Sequence, residues 1–331
     1  MNGKRWLALG IALGLFIVSI GFRFMTQIIT TDWEALINMS VDELNEEVIE
    51  EGNPDEKIAV LKLEGVIQDT GDGSFLNTSM YNHERFLNML EAVGKDRSVD
   101  GIVLRINSPG GGVVESAEIE EKIVDIRKTY NKPVYVSMGN TAASGGYYVS
   151  AKADKIVAHP ATLTGSIGVI MESINFADLA DDYGIDFNTI KSGKYKDIMS
   201  SSRKMTDEEK DILQSMIDDM YDDFVQVIVD GRDLSEQRVR ELGDGRVFTG
   251  SQAKENGLVD DLGNLDDTIA MLEKDYELND PHVVQYRSKF GFKELAGVTA
   301  QHLFDDKAEL MGVMELIRQH DGPRAMYLYS Q

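Results

Sequence analysis

Three glycine-rich junctions place small hydroxyls where a strand pattern gives way to a helical one. The first is Ile106-Asn107-Ser108-Pro109-Gly110-Gly111-Gly112, between the β-rich run Gly101–Ile106 and helical spacing that starts near Val114. Consecutive glycines let backbone N–H groups point into a cavity, and the helix N-terminus that follows adds positive potential. Such a junction suits an anion or a developing oxyanion. It lacks the Gly-Lys-Ser/Thr of a P-loop and does not spell Gly-x-Gly-x-x-Gly. The second junction is NTAASGGYYVSAKAD, Asn140 to Asp154, where Ser144 stands between two Ala and two Gly. A hydroxyl there would project from a strand end, with the Gly145 N–H as a second donor. This follows the logic of a nucleophile elbow, although Gly-x-Ser-x-Gly is not spelled. A plain helix N-cap, worth about 1 kcal/mol, is the competing role for Ser144. The third junction, Thr164-Gly165-Ser166-Ile167-Gly168-Val169, holds another small hydroxyl between glycines.

A serine nucleophile needs a base. The five histidines are His83, His159, His282, His302 and His320. His83 falls on an expected surface helix, His282 follows Pro281, and His302 and His320 lie in the tail, which leaves His159 as the histidine candidate. The other source is Ile190-Lys191-Ser192-Gly193-Lys194-Tyr195-Lys196-Asp197, with three lysines after a strand-like run. A lysine base must be neutral, so its pKa has to fall from ~10.4 towards 7, about 4 kcal/mol that burial in an apolar pocket can supply. Residue chemistry alone leaves Lys191, Lys194 and Lys196 all open.

The elements that must position these groups alternate. Ile58–Leu63, Gly101–Ile106, Val134–Met138 and Lys155–Ala158 read as strands, nearly continuous in apolar character and so buried on both faces. Helical spacing covers His83–Val93, Val114–Thr129 and Gly146–Ala151. Thr206 with Glu209 forms a capping box that opens a long helix to about Asp230, and a shorter helix is expected near Leu234–Leu242. Phe248-Thr249-Gly250 opens a further segment, His282–Tyr286 reads as a late strand, and Leu310, Val313, Met314 and Ile317 share a helical face. This alternation predicts an α/β domain with a largely parallel sheet flanked by helices.

The 331 residues carry 57 acidic and 33 basic side chains, a net charge of −24, and no cysteine. That balance argues against nucleic acid as a partner, and it removes thiolate chemistry, Cys-ligated zinc and disulfides. Lys4 and Arg5 precede the uncharged run Trp6–Phe22, which Arg23 ends. As a helix the run is roughly 26 Å long, near the ~30 Å hydrocarbon core. A poor small-x-small site at Ser19-Ile20-Gly21 favours an uncleaved anchor over a signal peptide. The positive flank sets the N-terminus in the cytoplasm and the rest of the chain outside a cytoplasmic membrane, a single-pass arrangement. The expected organisation is a membrane anchor at 1–28, an acidic juxtamembrane linker at 29–56, a catalytic domain at 57–289 and a tail at 290–331. Within the tail, Ala325-Met326-Tyr327-Leu328-Tyr329 is an extended apolar end with the character of a peptide that a groove could hold as a self-substrate.

Taken together, Asn-Ser-Pro-Gly-Gly-Gly, Ala-Ala-Ser-Gly-Gly-Tyr-Tyr, Gly-Ser-Ile-Gly-Val and Lys-Ser-Gly-x-x-Lys resemble the signal peptide peptidase A family in its one-domain bacterial form. Phe248-Thr249-Gly250 and Gly257-Leu258-Val259-Asp260 extend the resemblance, which covers about residues 57–287. The resemblance implies a membrane-anchored Ser/Lys protease on a Clp-protease/crotonase-type fold. It implies Ser144 as nucleophile and Lys196 as general base, with Lys194 a minor rival. Ser166 would orient the lysine, and the Gly111 and Gly145 N–H groups would form the oxyanion hole. It also implies unfolded apolar peptides such as remnant signal peptides as substrates, a ring-shaped homo-oligomer whose subunits can complete one another's sites, and neither metal nor cofactor. A crotonase-like acyl-CoA enzyme and a non-enzymatic membrane scaffold are the two other classes that this pattern admits.

Overall fold

Strand runs that are apolar on both faces need cover on both faces, and the chain supplies it. The structure, a computed structural model, describes residues 45–69, 81–287 and 325–329. The expected anchor and the helical face at 310–317 lie outside these residues. Among the described residues no helix is long and apolar enough to cross a membrane.

Among the described residues the main sheet has nine strands, and its principal path runs β1 (Asn45–Glu50), β10 (Pro281–Arg287), β2 (Asn53–Glu64), β3 (Val99–Ser108), β5 (Val134–Ala143), β6 (Lys155–Ala158) and β9 (Asp261–Leu262). From β10 to β9 every neighbouring pair on this path is parallel, and β1 runs antiparallel along β10. The fold is therefore mixed α/β with a largely parallel sheet. Alternate residues of β2 serve different faces: Ala59, Leu61 and Leu63 join the large core, while Ile58 and Val60 join a smaller one. The large core is closed by α1 (His83–Lys95), α2 (Val113–Thr129) and α3 (Gly145–Ser150) through Phe86, Leu90, Ile119, Ile123 and Tyr147. The smaller one is closed by α8 (Leu265–Asp275), which the sequence pattern did not signal, through Ile269 and Leu272.

β5 changes partners part-way along. Tyr135–Met138 pair with β6, whereas Thr141–Ala143 pair with β7 (Leu163–Gly165), which in turn is antiparallel to β8 (Val247–Thr249). Two hydroxyls brace the fork: Thr162 Oγ1 donates to the Gly139 carbonyl and Thr164 Oγ1 to that of Ala142, both at 2.6 Å. The diverted half of β5 carries the chain to Ser144.

After β7 come the short α4 (Ala177–Asp182), the long α5 (Asp207–Gly231), α6 (Glu236–Leu242) and α7 (Gly250–Glu255). The capping box of Thr206 and Glu209 is present. The C-terminal half of α5 buries Phe224, Val225 and Ile228 against the core. Residues 170–205 form a largely exposed excursion with Ile174, Leu179, Tyr183 and Ile190 open to solvent.

Three expectations from sequence change. Residues 45–50, inside the stretch read as a linker, form β1 because their backbone completes the edge of β10. No strand precedes Ile190. His83 is not on a surface face: it is 5% exposed, bonded to the Tyr81 hydroxyl and the Glu118 carboxylate at 2.6 Å each. Leu104, fully buried in central β3, sets the sensitivity of the whole sheet. Leu104→Ala is expected to lower unfolding free energy by about 2–5 kcal/mol, read from the denaturant midpoint at unchanged slope.

Candidate active site

The end of β5 is forced into a sharp turn. Ser144 has φ 55° and ψ −117°, a conformation that costs a non-glycine residue of order 1–3 kcal/mol and is held only where its surroundings over-determine it. Its N–H donates to the Gly165 carbonyl at 2.7 Å, and its own carbonyl accepts from the Tyr148 N–H of α3 at 2.9 Å. The side chain makes no capping hydrogen bond, so the N-cap role open to this serine is not realised. Ser144 is 1% exposed and lines a groove of 580 Å³.

Ser166 lines the same groove. Because Ala143 pairs with Gly165 across β5 and β7, Ser144 and Ser166 emerge from neighbouring strand ends. Ser166 is also left-handed, at φ 49°, and its N–H donates to the Arg246 carbonyl at 2.8 Å. The remaining wall comes from Ile167–Ile170, from Gln214, Ile217 and Tyr221 of α5, and from the turn 243–245.

Between the walls lies the chain's own end. β11 (Met326–Leu328) runs antiparallel to β4 (Gly110–Gly112), pairing Tyr327 with Gly111 and Leu328 with Gly110. On its other side Met326 directs both its N–H and its carbonyl to Ile170, at 2.9 and 3.0 Å. Polar groups alternate along a strand, so those of Tyr327 face Gly111. The glycines make this approach possible. A Cβ on Gly110, whose φ is +102°, would lie 2.0 Å from the Tyr327 carbonyl oxygen and 2.6 Å from the Gly145 nitrogen. A Cβ on Gly111 would lie 1.8 Å from the Ile67 carbonyl oxygen. The amides of Gly111 and Gly145 thus border the Tyr327 carbonyl of the seated tail.

The Tyr327 side chain enters a pocket that sequence reasoning missed. Its ring is fully buried, stacked on Tyr148 at 4.9 Å and tilted against Phe224 at 4.7 Å, and its hydroxyl donates to the Met220 carbonyl at 3.0 Å. Tyr148 carried a faint signal as the fourth residue after Ser144. Phe224 carried none beyond helical periodicity.

The lysines separate clearly. Lys191 pairs with Asp197 at 2.6 Å. Lys194 pairs with Glu208, and that hydrogen bond raises its pKa, the wrong direction for a base. Lys196 has no ion pair among the described residues, yet it is exposed and does not line the groove. One chain therefore brings together Ser144, Ser166, Gly111 and Gly145, and leaves Lys196 outside. The segment that carries Lys196 is tied down by Arg203, whose guanidinium bonds both Asp197 and Glu209. His159 is exposed and away from the groove, with its Nδ1 accepting the Ala161 N–H at 3.1 Å within its own turn.

An uncapped serine on a strained strand-to-helix turn, at the floor of a groove that pairs a peptide as an extra strand, belongs to a serine peptidase. Comparison with known proteins gives the same class and a family. The sequence profile of Peptidase family S49 matches residues 126–279. A putative signal peptide peptidase SppA of Enterococcus faecium is 39% identical over 351 aligned positions, covering 100% of this chain and 99% of that one. A putative protease of Methanocaldococcus jannaschii is 41% identical, covering 65% of this chain and 68% of its own. A chloroplastic serine protease SPPA of Arabidopsis thaliana is 31% identical, covering 66% of this chain and 32% of its own. The chain belongs to peptidase family S49.

The tie between Arg203 and the acids has a pH signature. The Arg203 hydrogen bond, followed by the Thr206 N–H, lowers the Glu209 pKa from 4.5 to about 2, and Asp197 is likewise lowered, by Arg203 first and Lys191 second. A depressed folded-state pKa stabilises above the unfolded value and is lost as pH falls through the folded one. Wild type should therefore lose stability between pH 4.5 and about 2 more steeply than Glu209→Gln, read from Tm against pH.

Proposed function

We propose that this protein is a membrane-anchored endopeptidase that degrades unfolded apolar peptides, remnant signal peptides among them, with Ser144 as nucleophile and Lys196 as general base. The observation that carries the reading is the bordering of the Tyr327 carbonyl by the amides of Gly111 and Gly145 while the Ser144 hydroxyl opens onto the same groove. The membrane-interface role rests on the anchor expected at 1–28, and the substrate class on the likeness to the Enterococcus signal peptide peptidase. The catalytic domain would then work on the outer face of the cytoplasmic membrane, on a fold of the Clp-protease/crotonase type.

Neutral Lys196 takes the Ser144 proton as Oγ adds to the scissile carbonyl, and the oxyanion is met by the Gly111 and Gly145 N–H groups. Lys196, oriented by Ser166, returns the proton to the leaving nitrogen as the C–N bond breaks and the acyl-enzyme forms. Water then adds by the same route, and Ser144 recovers its proton as the ester breaks. Lys196 reaches the site from a neighbouring subunit of a ring. Its exposure, its place outside the groove and the unburied Ile174, Leu179, Tyr183 and Ile190 on the same excursion support that arrangement. No nucleic acid, metal or cofactor takes part. An acyl-CoA enzyme is less well supported, because the groove pairs a polypeptide strand along its length.

Cleavage of a fluorogenic apolar peptide tests the assignment. Ser144→Ala and Lys196→Ala should each lose at least ~10³-fold, with His159→Ala unchanged. Mixing the two dead variants should restore part of the activity if neighbours complete one site. Full activity in Lys196→Ala would remove the base, and activity in Ser144→Ala would leave a scaffold.

In this reading Tyr327–Leu328 is the scissile bond of a self-substrate, which the pairing of Tyr327 with Gly111 supports. Intact-mass analysis should find wild-type chains ending at Tyr327 and Ser144→Ala chains ending at Gln331. A wild-type end at Gln331 after prolonged incubation would make the tail a ligand only.

A further inference from the structure

Among the described residues one buried hydroxyl has neither a hydrogen-bond partner nor a part in the proposed mechanism. Ser116 lies on α2, four residues after Gly112, is fully buried, and its Oγ has no hydrogen-bond partner among the described residues. A serine inside a helix ordinarily bonds back to the carbonyl four residues earlier or turns out to water, and this one does neither. Its position is specific. A Cβ on Gly145 would lie 2.6 Å from Ser116 Oγ and 3.0 Å from the Gly111 nitrogen. The hydroxyl therefore occupies the space behind Gly145 that a side chain would otherwise fill, beside both amides that border the Tyr327 carbonyl.

We propose that Ser116 is a positioning residue of the oxyanion hole, acting through Gly111 and Gly145. This rests on the reading of Ser144 as nucleophile. Its oxygen holds the Gly145 peptide against Gly111 in place of the missing Cβ. Its O–H dipole has no ground-state partner, so it turns freely and aligns as negative charge develops on the far side of the two amides. A dry surrounding leaves that dipole little screened. An interaction realised only as charge develops raises kcat and leaves binding untouched. The same reasoning accounts for a desolvated hydroxyl where alanine would pack as well without the cost of an unpaired polar group.

Ser116→Ala in the full-length chain separates this role from a structural one. The variant should keep KM for a tyrosine-containing apolar peptide and lose about tenfold in kcat, about 1.4 kcal/mol of transition-state stabilisation. Its Tm should equal or exceed that of wild type, because an unpartnered polar group has been removed from the interior. The rate at which a fluorophosphonate labels Ser144 should fall in parallel, since that adduct also places an oxygen in the hole. A kcat at the wild-type value, a loss confined to KM, or a lowered Tm with proportionate loss of both constants would overturn the proposal. Labelling of Ser144→Ala protein at the wild-type rate is a distinct result, and it would overturn the nucleophile and this inference together.

Discussion

The site depends on three backbones meeting where no side chain intervenes. Gly110, Gly111 and Gly145 each face another main chain or a packed hydroxyl at distances that a Cβ could not tolerate. Remove that constraint and the peptide strand cannot approach β4, nor can the first turn of α3 sit beside it. The strain at Ser144 belongs to the same account. A turn this tight persists because its N–H is fixed to Gly165 and its carbonyl to Tyr148, and those in turn depend on the fork in β5. The parallel sheet is the rigid base that makes so many close approaches compatible.

Around this centre the division of labour is spatial. The sheet and the helices α1, α2 and α3 give a core that shields the turn at Ser144 from water. The excursion at 170–205 does the opposite, presenting apolar side chains and a cationic segment outward. Its internal order comes from charge. Arg203 gathers Asp197 and Glu209, and the latter also serves as the reciprocal cap of α5. A segment can thus be well defined in itself while its apolar surface stays open.

Much of this was legible in the residues. The strands at 58–63, 101–106, 134–138 and 155–158 follow from continuous apolar runs, and the start of α5 follows from its capping box, because both signals are local. The glycine junctions announced close approach: the second and third line the groove, and the first pairs with the tail strand seated in it. What escaped was what depends on distant partners. β1 looks like a charged linker, since an edge strand needs only backbone bonds and tolerates Glu on every face. His83 looked superficial because its satisfaction depends on Glu118, far along the chain. The pocket for Tyr327 is assembled from α3, α5 and the C-terminal end, three places that periodicity treats separately.

The seating of Tyr327 also bears on how other molecules would reach the groove. A ligand in solution competes with a segment covalently joined to the same polypeptide, so its competitor acts intramolecularly and is not diluted with the protein. Apparent affinity then falls in proportion to the fraction of time the groove stands empty. Two free peptides with equal intrinsic affinity would still rank alike, but each would look weaker than it is. Shape complementarity to the aromatic slot would be concealed by occupancy rather than absent, and only the vacated groove would reveal it.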